Sequence, residues 1–431
     1  MSESSRANPA TLTRQVGMLL TGTTSVQVIG VLLSPVVARI YGPVALGEVA
    51  AATVIASTLT TIAMLSLDAA IVLADTYEEA LEISGVILTM ATFAAAVSSI
   101  LFYLAMPWLV SFAWLSFLSR RTLFWSIFVS LSALFMTLIQ VLSALATRER
   151  RFAAISTGRV AQSVSTNALT IILGLAAWGA MGAAIAVLLG QLAIVIALSS
   201  LSGASLTSLL RASPNYRRSR EILAKHRRFP LYSYPQALLD SLRENALVGA
   251  VALTAGTVGL GHWAMLGRAV RGPLTVLGAA FTQVFTASAA NAVREGERLT
   301  PLIRWISLRT GAIAVIATAT LIAGGPILFK YVFGEIWSGA GEMARIFIPW
   351  MALNVVVAPF VQLAFILHRN RGFLLWGIFY NSGFAAICLL GPKLLHGSSL
   401  LAALSAFGAG TLFCVLFWLI RAARVFDDRF A

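Results

Sequence analysis

Long apolar runs alternate with short polar segments along nearly the whole chain. A run of about 20 residues crosses about 30 Å of hydrocarbon as an α-helix, in which every backbone polar group pairs within the segment. The pattern predicts twelve membrane-spanning helices, six on each side of the one long polar stretch between Leu206 and Phe229. The predicted spans are 16–40, 46–72, 81–106, 122–146, 153–177 and 180–205, then 231–254, 262–291, 303–329, 343–367, 372–390 and 399–421.

A short glycine-containing motif occurs once in each half of the chain. Gly42–Gly47 reads GPVALG and Gly256–Gly261 reads GTVGLG, and each copy lies between the first and second predicted helix of its half. The spacing predicts one six-helix module repeated in tandem, an architecture typical of carriers that hold their substrate between two halves. The predicted organisation is an N-terminal lobe at 1–206, a basic cytoplasmic linker at 207–229 and a C-terminal lobe at 230–431.

The composition indicates that these helices lie in lipid. Hydrophobic residues make up 58% of the chain and charged residues 11%, with a mean hydropathy of +0.86, whereas soluble domains carry about 25% charged residues. The net charge of +14 is dispersed over the loops, so no nucleic-acid partner is expected. The densest basic run has two interpretations, a topological signal or a site for acidic lipid head groups. It comprises Arg217, Arg218, Arg220, Lys225, Arg227 and Arg228.

Basic residues are concentrated in alternate loops. With the N-terminus inside, the inner segments carry 20 Lys and Arg residues and the outer segments carry five. Because basic flanks are retained in the cytoplasm, both termini are predicted to be cytoplasmic, which agrees with an even number of helices. One inner loop is an exception, since its charges are acidic and have no basic neighbour in the sequence: Asp75, Glu78, Glu79 and Glu82.

Charges inside the predicted helices are few, and each costs about 2.5 to 3.5 kcal/mol at the centre of a span. In the seventh helix, Asp240, Arg243 and Glu244 stand at i, i+3 and i+4 and share one face. In the eighth helix, Arg268 and Arg271 are one turn apart. The rise of about 1.5 Å per residue brings both groups to similar depths. The sequence therefore predicts a polar layer of two carboxylates and three guanidinium groups in the outer half of the membrane.

This polar layer has two compatible interpretations. It is a structural ion-pair network that clamps the two helices, or it is the cationic wall of a cavity that attracts a phosphate and holds its oxygens with forked guanidinium groups. No metal site or disulfide is expected, because the four His residues are scattered and Cys388 and Cys414 lie inside predicted helices. The sequence also lacks the glycine-rich phosphate-binding loop of ATPases.

Prolines occur inside the opening helices of both halves. Pro35, Pro235 and Pro273 each remove a backbone donor within a predicted span. These prolines predict either kinks that only serve helix packing or hinges at which a gate bends.

Six stretches carry a resemblance to a known family. They are GTTSVQVIGVLLSPVVARIYGPVALG from Gly22, AIVLADTYEEA from Ala70, RRFAAISTGRVAQS from Arg150, FPLYSYPQALLDSL from Phe229, PLTVLGAAFTQVF from Pro273 and VFGEIWSGAGEMARIFIPWM from Val332. In this order they resemble bacterial polysaccharide transporters, the flippases for lipid-linked O-antigen and exopolysaccharide repeat units within the multidrug and polysaccharide exporter superfamily.

The resemblance implies a fold and an activity. The fold is all-α and integral to the membrane, with twelve transmembrane helices as two six-helix lobes around a central cavity. The implied activity moves an undecaprenyl-pyrophosphate-linked oligosaccharide from the inner to the outer leaflet of the bacterial cytoplasmic membrane, without a cofactor. The implied partners are this lipid-linked oligosaccharide and membrane lipids. H⁺ or Na⁺ are candidate coupling ions, and polysaccharide polymerase and chain-length proteins are candidate protein partners.

The resemblance also bears on individual residues. Arg39, Arg159 and Arg268 match arginines of the family, and Asp68 occupies the place of an acidic residue. The chain departs from the family at Ser66, where a basic residue is common, and at Arg271, which is an extra charge. The predicted substrate-binding residues are Arg268, Arg271, Arg243, Arg39 and Arg159, and the predicted ion-coupling carboxylates are Asp240, Glu244 and Asp68.

Two other classes of function stay open at the level of sequence. One is an ion-coupled small-molecule or drug exporter, or a peptidoglycan-precursor flippase, of the same superfamily. An acidic residue is absent from the first helix, which argues against a cation antiporter that couples through that helix. The other class is a membrane enzyme that polymerises or ligates sugar chains. Such an enzyme is expected to have a large polar outer loop, which the predicted topology does not contain.

Overall fold

The computed structural model describes residues 26–104, 121–201, 209, 216–367, 369–395 and 397–427. Helices account for nearly all of these residues, and no β-strand occurs among them. Within the described ranges, nine helical segments are long and apolar enough to cross a membrane. The predicted all-helical membrane fold is confirmed, and the chain is a multi-pass membrane protein.

The helices are numbered here in chain order. The elements before the second half are α1 (Val26–Ile40), α2 (Pro43–Met64), α3 (Asp68–Leu73), α4 (Tyr77–Leu104), α5 (Thr122–Arg148), α6 (Phe152–Leu175), α7 (Gly179–Leu201) and α8 (Tyr216–Lys225). A π-helical turn (Phe229–Ser233) leads into α9 (Tyr234–Leu266), and a second (Gly267–Arg271) leads into α10 (Gly272–Glu295). The remaining elements are α11 (Thr300–Phe333), a 3₁₀ turn (Glu335–Trp337), α12 (Ser338–Val357), α13 (Val361–Ile366), α14 (Asn370–Leu394) and α15 (Ser398–Asp427).

These elements are compatible with twelve spans. One apolar segment, Ala237–Glu295, contains both the seventh and the eighth predicted helices. The backbone leaves helical geometry between them at Gly256 (φ 62°, ψ −160°), a conformation that glycine adopts without a steric penalty. The shorter α1 and the more polar α6 complete the set. The first predicted span begins at residue 16, and its part before residue 26 lies outside the described residues.

Two predicted spans are interrupted. The span predicted at 46–72 breaks where Leu65 and Ser66 adopt left-handed backbone angles (φ 46° and 56°). The span predicted at 343–367 breaks at Pro359, between α12 and α13, because proline lacks the N–H that the next helical hydrogen bond requires. The prediction of unbroken helices was wrong at these two points, since apolar character continues through both breaks.

The chain divides into two compact units. The first comprises Met1–Leu33 and Glu48–Leu242, and the second comprises Ser34–Gly47 and Arg243–Ala431. Large buried side chains are mainly aliphatic in the first unit and mainly aromatic in the second. They include Leu67, Ile71, Ile83 and Ile87 in the first, and Phe285, Phe329, Trp337, Phe347, Phe360 and Phe384 in the second.

The two copies of the glycine motif meet inside the second unit. A Cβ atom on Gly47 would overlap the carbonyl oxygen of Thr257, and a Cβ atom on Gly261 would overlap the carbonyl oxygen of Pro43. The contact is reciprocal, because in each case the last residue of one copy meets the second residue of the other. Glycine is therefore needed at both positions for the backbones to approach this closely. The sequence reveals the two copies, but only the structure reveals that they touch.

The acidic loop of Asp75, Glu78, Glu79 and Glu82 finds basic partners inside the first unit. In α8, Arg218 Nη2 donates to Glu82 Oε2 at 2.8 Å. Lys225 Nζ lies 2.5 Å from Glu79 Oε1, and this hydrogen bond raises the pKa of Lys225. The linker helix thus supplies the cations that are absent from the neighbouring sequence of the acidic loop.

Candidate functional site

The second unit contains a cavity of about 570 Å³ between α9, α10, α12, α14 and α15. The charged residues in its lining are Arg243, Glu244 and Arg271. The uncharged polar lining consists of Thr275, Thr282, Gln283, Asn354 and Tyr380, and the remaining wall is apolar or aromatic, including Trp350, Met351 and Leu412.

One carboxylate in this cavity is shared by two guanidinium groups. Arg271 Nη2 lies 2.9 Å from both Glu244 Oε1 and Oε2, and Arg243 Nη2 donates to Glu244 Oε1 at 3.0 Å. Hydrogen bonds between ionised partners are about twice as strong as neutral ones. The cluster carries one more positive than negative charge, and all three side chains are partly buried. The arrangement therefore presents a surplus cation to whatever occupies the cavity.

The position of Arg271 depends on a π-helical turn. The N–H of Gly272 donates to the carbonyl of Gly267, an i→i+5 bond, and Pro273 follows immediately. Proline cannot make the next helical hydrogen bond, and single π turns of this kind are frequent at functional sites. The turn Phe229–Ser233 has the same arrangement, with Pro235 two residues after its last position. Both prolines thus follow a π turn.

An aromatic residue completes the support of Arg243. Its guanidinium carbon lies 5.0 Å from the ring centroid of Tyr380, within the range of a cation–π interaction. The Tyr380 hydroxyl accepts a hydrogen bond from Trp350 Nε1 at 3.0 Å, and Asn354 Nδ2 donates to the Trp350 carbonyl at 3.1 Å. The Arg243 side chain is therefore oriented by Glu244 on one side and by an aromatic ring on the other.

The structure brings together three of the eight residues predicted for the site: Arg243, Glu244 and Arg271. Arg268 is half-buried in the same π turn as Arg271 but is not part of the cavity lining. The i→i+5 turn is wider than an α-helical turn, so residues three apart no longer stack as they do in an α-helix.

The other four predicted residues lie elsewhere. Arg39 is exposed near the end of α1, in the second unit. In the first unit, Arg159 is exposed on α6, Asp68 is half-buried at the start of α3, and Asp240 is half-buried in α9. None of the four lines the cavity, and their predicted roles stay predictions.

Sequence reasoning missed Tyr380, Trp350 and Asn354. All three are uncharged and come from α12 and α14, more than 100 residues after Arg243. The signal that marked the site was charge within an apolar helix, and these residues do not carry it. Polar and aromatic positions inside a predicted span are common, so no pattern in the sequence singles them out.

Comparison with known proteins places the chain in a family. Residues 36–342 match the family model of polysaccharide biosynthesis proteins, whereas no curated protein matches the chain in sequence. The lipid II flippase MurJ, in an inward closed conformation, is similar in structure with a TM-score of 0.72 at 10% identity, over 95% of this chain and 89% of that protein.

Two MATE transporters are also similar in structure. An inward-facing multidrug resistance MATE family transporter of the MOP superfamily gives a TM-score of 0.60 at 15% identity, over 96% of both chains. A mutant of the Vibrio cholerae MATE transporter VcmN gives 0.56 at 15% identity, also over 96% of both chains. At these identities the similarities establish the fold. Because the family match covers most of the chain, the protein belongs to the family of polysaccharide biosynthesis proteins and has the helical fold of MOP-superfamily transporters.

Proposed function

We propose that the protein is a flippase that moves an undecaprenyl-pyrophosphate-linked oligosaccharide repeat unit from the inner to the outer leaflet of the bacterial cytoplasmic membrane. Transport proceeds by alternating access, with both termini in the cytoplasm. The observation that carries the proposal is the cavity in which Arg243 and Arg271 share the single carboxylate of Glu244.

The physical obstacle to this transport is desolvation. A sugar and a pyrophosphate would each expose polar groups to hydrocarbon, at a cost of several kcal/mol per unsatisfied group. A polar cavity lowers this barrier, because fixed donors replace the lost water. The polyprenyl chain needs no such cavity, since it can stay in the lipid throughout.

Glu244 is well suited to hold the site in the absence of substrate. Both of its oxygens lie 2.9 Å from Arg271 Nη2, so the carboxylate occupies a position that phosphate oxygens can take. In the proposed cycle the pyrophosphate binds Arg271 and Arg243 and displaces the carboxylate of Glu244. As the carboxylate that the substrate would displace, Glu244 is the preferred candidate for coupling to H⁺. Asp240 and Asp68 remain the other candidates for ion coupling, to H⁺ or Na⁺.

The uncharged lining fits the carbohydrate part of the proposed substrate. Thr275, Thr282, Gln283 and Asn354 offer hydroxyl and amide groups that can pair with sugar hydroxyls. The indole of Trp350 adds a flat apolar surface. We retain Arg268, Arg39 and Arg159 as further proposed phosphate contacts, which the substrate would meet outside the described cavity.

The decisive experiment is transport in proteoliposomes that contain the full-length chain and a fluorescently labelled undecaprenyl-pyrophosphate saccharide. Arg271→Ala is expected to lower the rate of flipping about thirtyfold, because loss of a charged hydrogen-bond donor to the substrate costs about 2 kcal/mol. Arg271→Lys keeps the charge but loses the fork, so it is expected to retain only partial activity.

Arg309→Ala is the matched control, since Arg309 lies in an apolar helix against the ring of Trp305 and outside the cavity lining. It is expected to flip the substrate at the normal rate. Parallel assays with a peptidoglycan precursor and a cationic dye separate the alternative functions. Movement of the dye without movement of the lipid-linked saccharide would reject the proposal in favour of a drug exporter.

A further inference from the structure

The linker helix carries a row of arginines that the transport scheme does not use. Arg217, Arg220, Arg227 and Arg228 are all exposed on α8 or in the turn that follows it. Arg217 and Arg220 share one side of α8 with exposed Ala224, and Arg227 and Arg228 follow in the turn directly after the helix. We call these four residues the linker arginine face.

The other sides of α8 are already occupied within the first unit. Ile222 is buried in the hydrophobic core of that unit, and Leu223 and Phe229 pack against the same core. The flank of the helix is fixed by the ion pairs of Arg218 with Glu82 and of Lys225 with Glu79. Because two sides are anchored, the linker arginine face is held in a defined orientation toward the outside of the unit.

The carboxylates near α8 leave most of this face without a counter-charge. Glu79 and Glu82 form ion pairs with Lys225 and Arg218 on the flank of the helix. Glu221 lies 3.6 Å from Arg217 Nε, but it also lies 3.2 Å from Arg218 Nη1. Among the described residues, no carboxylate forms an ion pair with Arg220, Arg227 or Arg228, and the face therefore carries a surplus of at least three positive charges.

The residues that follow the linker arginine face in the sequence bear on its depth in the membrane. Three positions beyond Arg228, Leu231 exposes 62% of its surface, and the chain then continues into the apolar helix α9. A large exposed apolar side chain one turn from exposed arginines is typical of a segment at the boundary between head groups and acyl chains. This order of residues favours a position of the arginines at the level of the lipid phosphates.

We propose that the linker arginine face binds the anionic head groups of phospholipids in the cytoplasmic leaflet. Guanidinium groups donate to the phosphate oxygens, while the opposite side of α8 stays bound to the core of the first unit. The bound lipids would tie the linker between the two halves to the membrane surface. Since these charges are exposed, the interaction is expected to weaken as ionic strength rises.

The test uses the purified full-length chain in detergent with added phosphatidylglycerol or phosphatidylcholine, and native mass spectrometry counts the lipids retained. The test variant combines Arg217→Gln, Arg220→Gln, Arg227→Gln and Arg228→Gln. The control combines Arg294→Gln, Arg298→Gln, Arg304→Gln and Arg424→Gln, which removes four exposed arginines from other segments with predicted cytoplasmic ends.

Each basic residue at an anionic surface contributes about a fivefold change in affinity. The test variant is therefore expected to bind phosphatidylglycerol at least about tenfold more weakly than the wild type, while the control variant stays within about threefold. Binding of neutral phosphatidylcholine should be the same in all three. Equal retention of phosphatidylglycerol by test and control variants would overturn the proposal, whether both keep it or both lose it. Should circular dichroism reveal an unfolded test variant, Arg220→Gln with Arg227→Gln replaces it and must still weaken binding at least about fivefold.

Discussion

Two charged clusters in this protein contain the same types of side chain, carboxylates with arginine or lysine, but differ in their balance of charge. In the first unit, a group of four side chains is balanced, because Glu82 pairs with Arg218 and Glu79 pairs with Lys225. In the second unit, Glu244 faces two guanidinium groups and the charges do not match. A balanced cluster is satisfied by its own members. An unbalanced one retains attraction for an anion that is not part of the protein.

The surroundings of the two clusters reinforce this difference. The side chain of Lys225 is 56% exposed and lies near water, where an ion pair contributes little to stability. The cavity cluster belongs to an apolar helix, where every unpaired charge is costly and is usually retained for function. The comparison teaches that charge balance and location, rather than the presence of ion pairs, distinguish a structural cluster from a binding site.

The largest expected effect comes from a variant that balances the charges lining the cavity. Arg243→Gln leaves the pair of Glu244 and Arg271 intact but removes the surplus charge, so flipping of the lipid-linked saccharide is expected to fall at least about thirtyfold. Helical circular dichroism and membrane insertion should stay normal. Normal flipping by this variant would mean that the cluster is a clamp between helices rather than a binding site.

A second change increases the imbalance. Glu244→Gln removes the carboxylate that competes with phosphate for the two arginines. The affinity for inorganic pyrophosphate is therefore expected to rise about tenfold, since one hydrogen bond to a charged group contributes about 1.5 kcal/mol or more. Calorimetry on the solubilised protein measures this affinity. Glu335→Gln is the control, because Glu335 pairs with Lys330 outside the cavity. Weaker binding by Glu244→Gln would contradict the role of Glu244 as a displaceable anion.

A smaller effect is expected at the aromatic support of the site. Tyr380→Leu removes the ring beneath Arg243, and pyrophosphate binding should weaken about threefold, since a cation–π contact contributes about 0.5 to 1 kcal/mol. Tyr380→Phe keeps the ring and should stay close to the wild type. If both variants bind equally weakly, the hydroxyl bonded to Trp350, and not the ring, orients the arginine.

The smallest effect is expected in the balanced cluster. Glu82→Gln removes one exposed ion pair with Arg218, and the melting temperature should fall by less than about 3 °C. The difference from the wild type should disappear in 0.5 M NaCl, because salt screens exposed charges, and flipping should be unchanged. A marked loss of flipping would show that the docking of α8 is part of the transport cycle.

The sequence by itself determined that this is a helical membrane protein and where most of its helices lie. Apolar runs of sufficient length specify membrane helices, because the cost of burying backbone polar groups in lipid leaves few other structures. The charges at Arg243, Glu244 and Arg271 were visible as candidates for the same reason, since an ionised side chain in an apolar run is rare. The repeated glycine motif was visible as well.

Only the tertiary structure decided which of these residues meet. Arg271 enters the cavity and Arg268 does not, because the π turn before Pro273 changes the angular spacing that an α-helix would impose. Tyr380 reaches Arg243 from a helix more than 100 residues away. Gly47 and Gly261 likewise meet across a long separation in sequence. Hydrophobic periodicity is a local property of the chain, whereas pairing depends on how distant helices are rotated and packed, so the first can be predicted from the sequence and the second cannot.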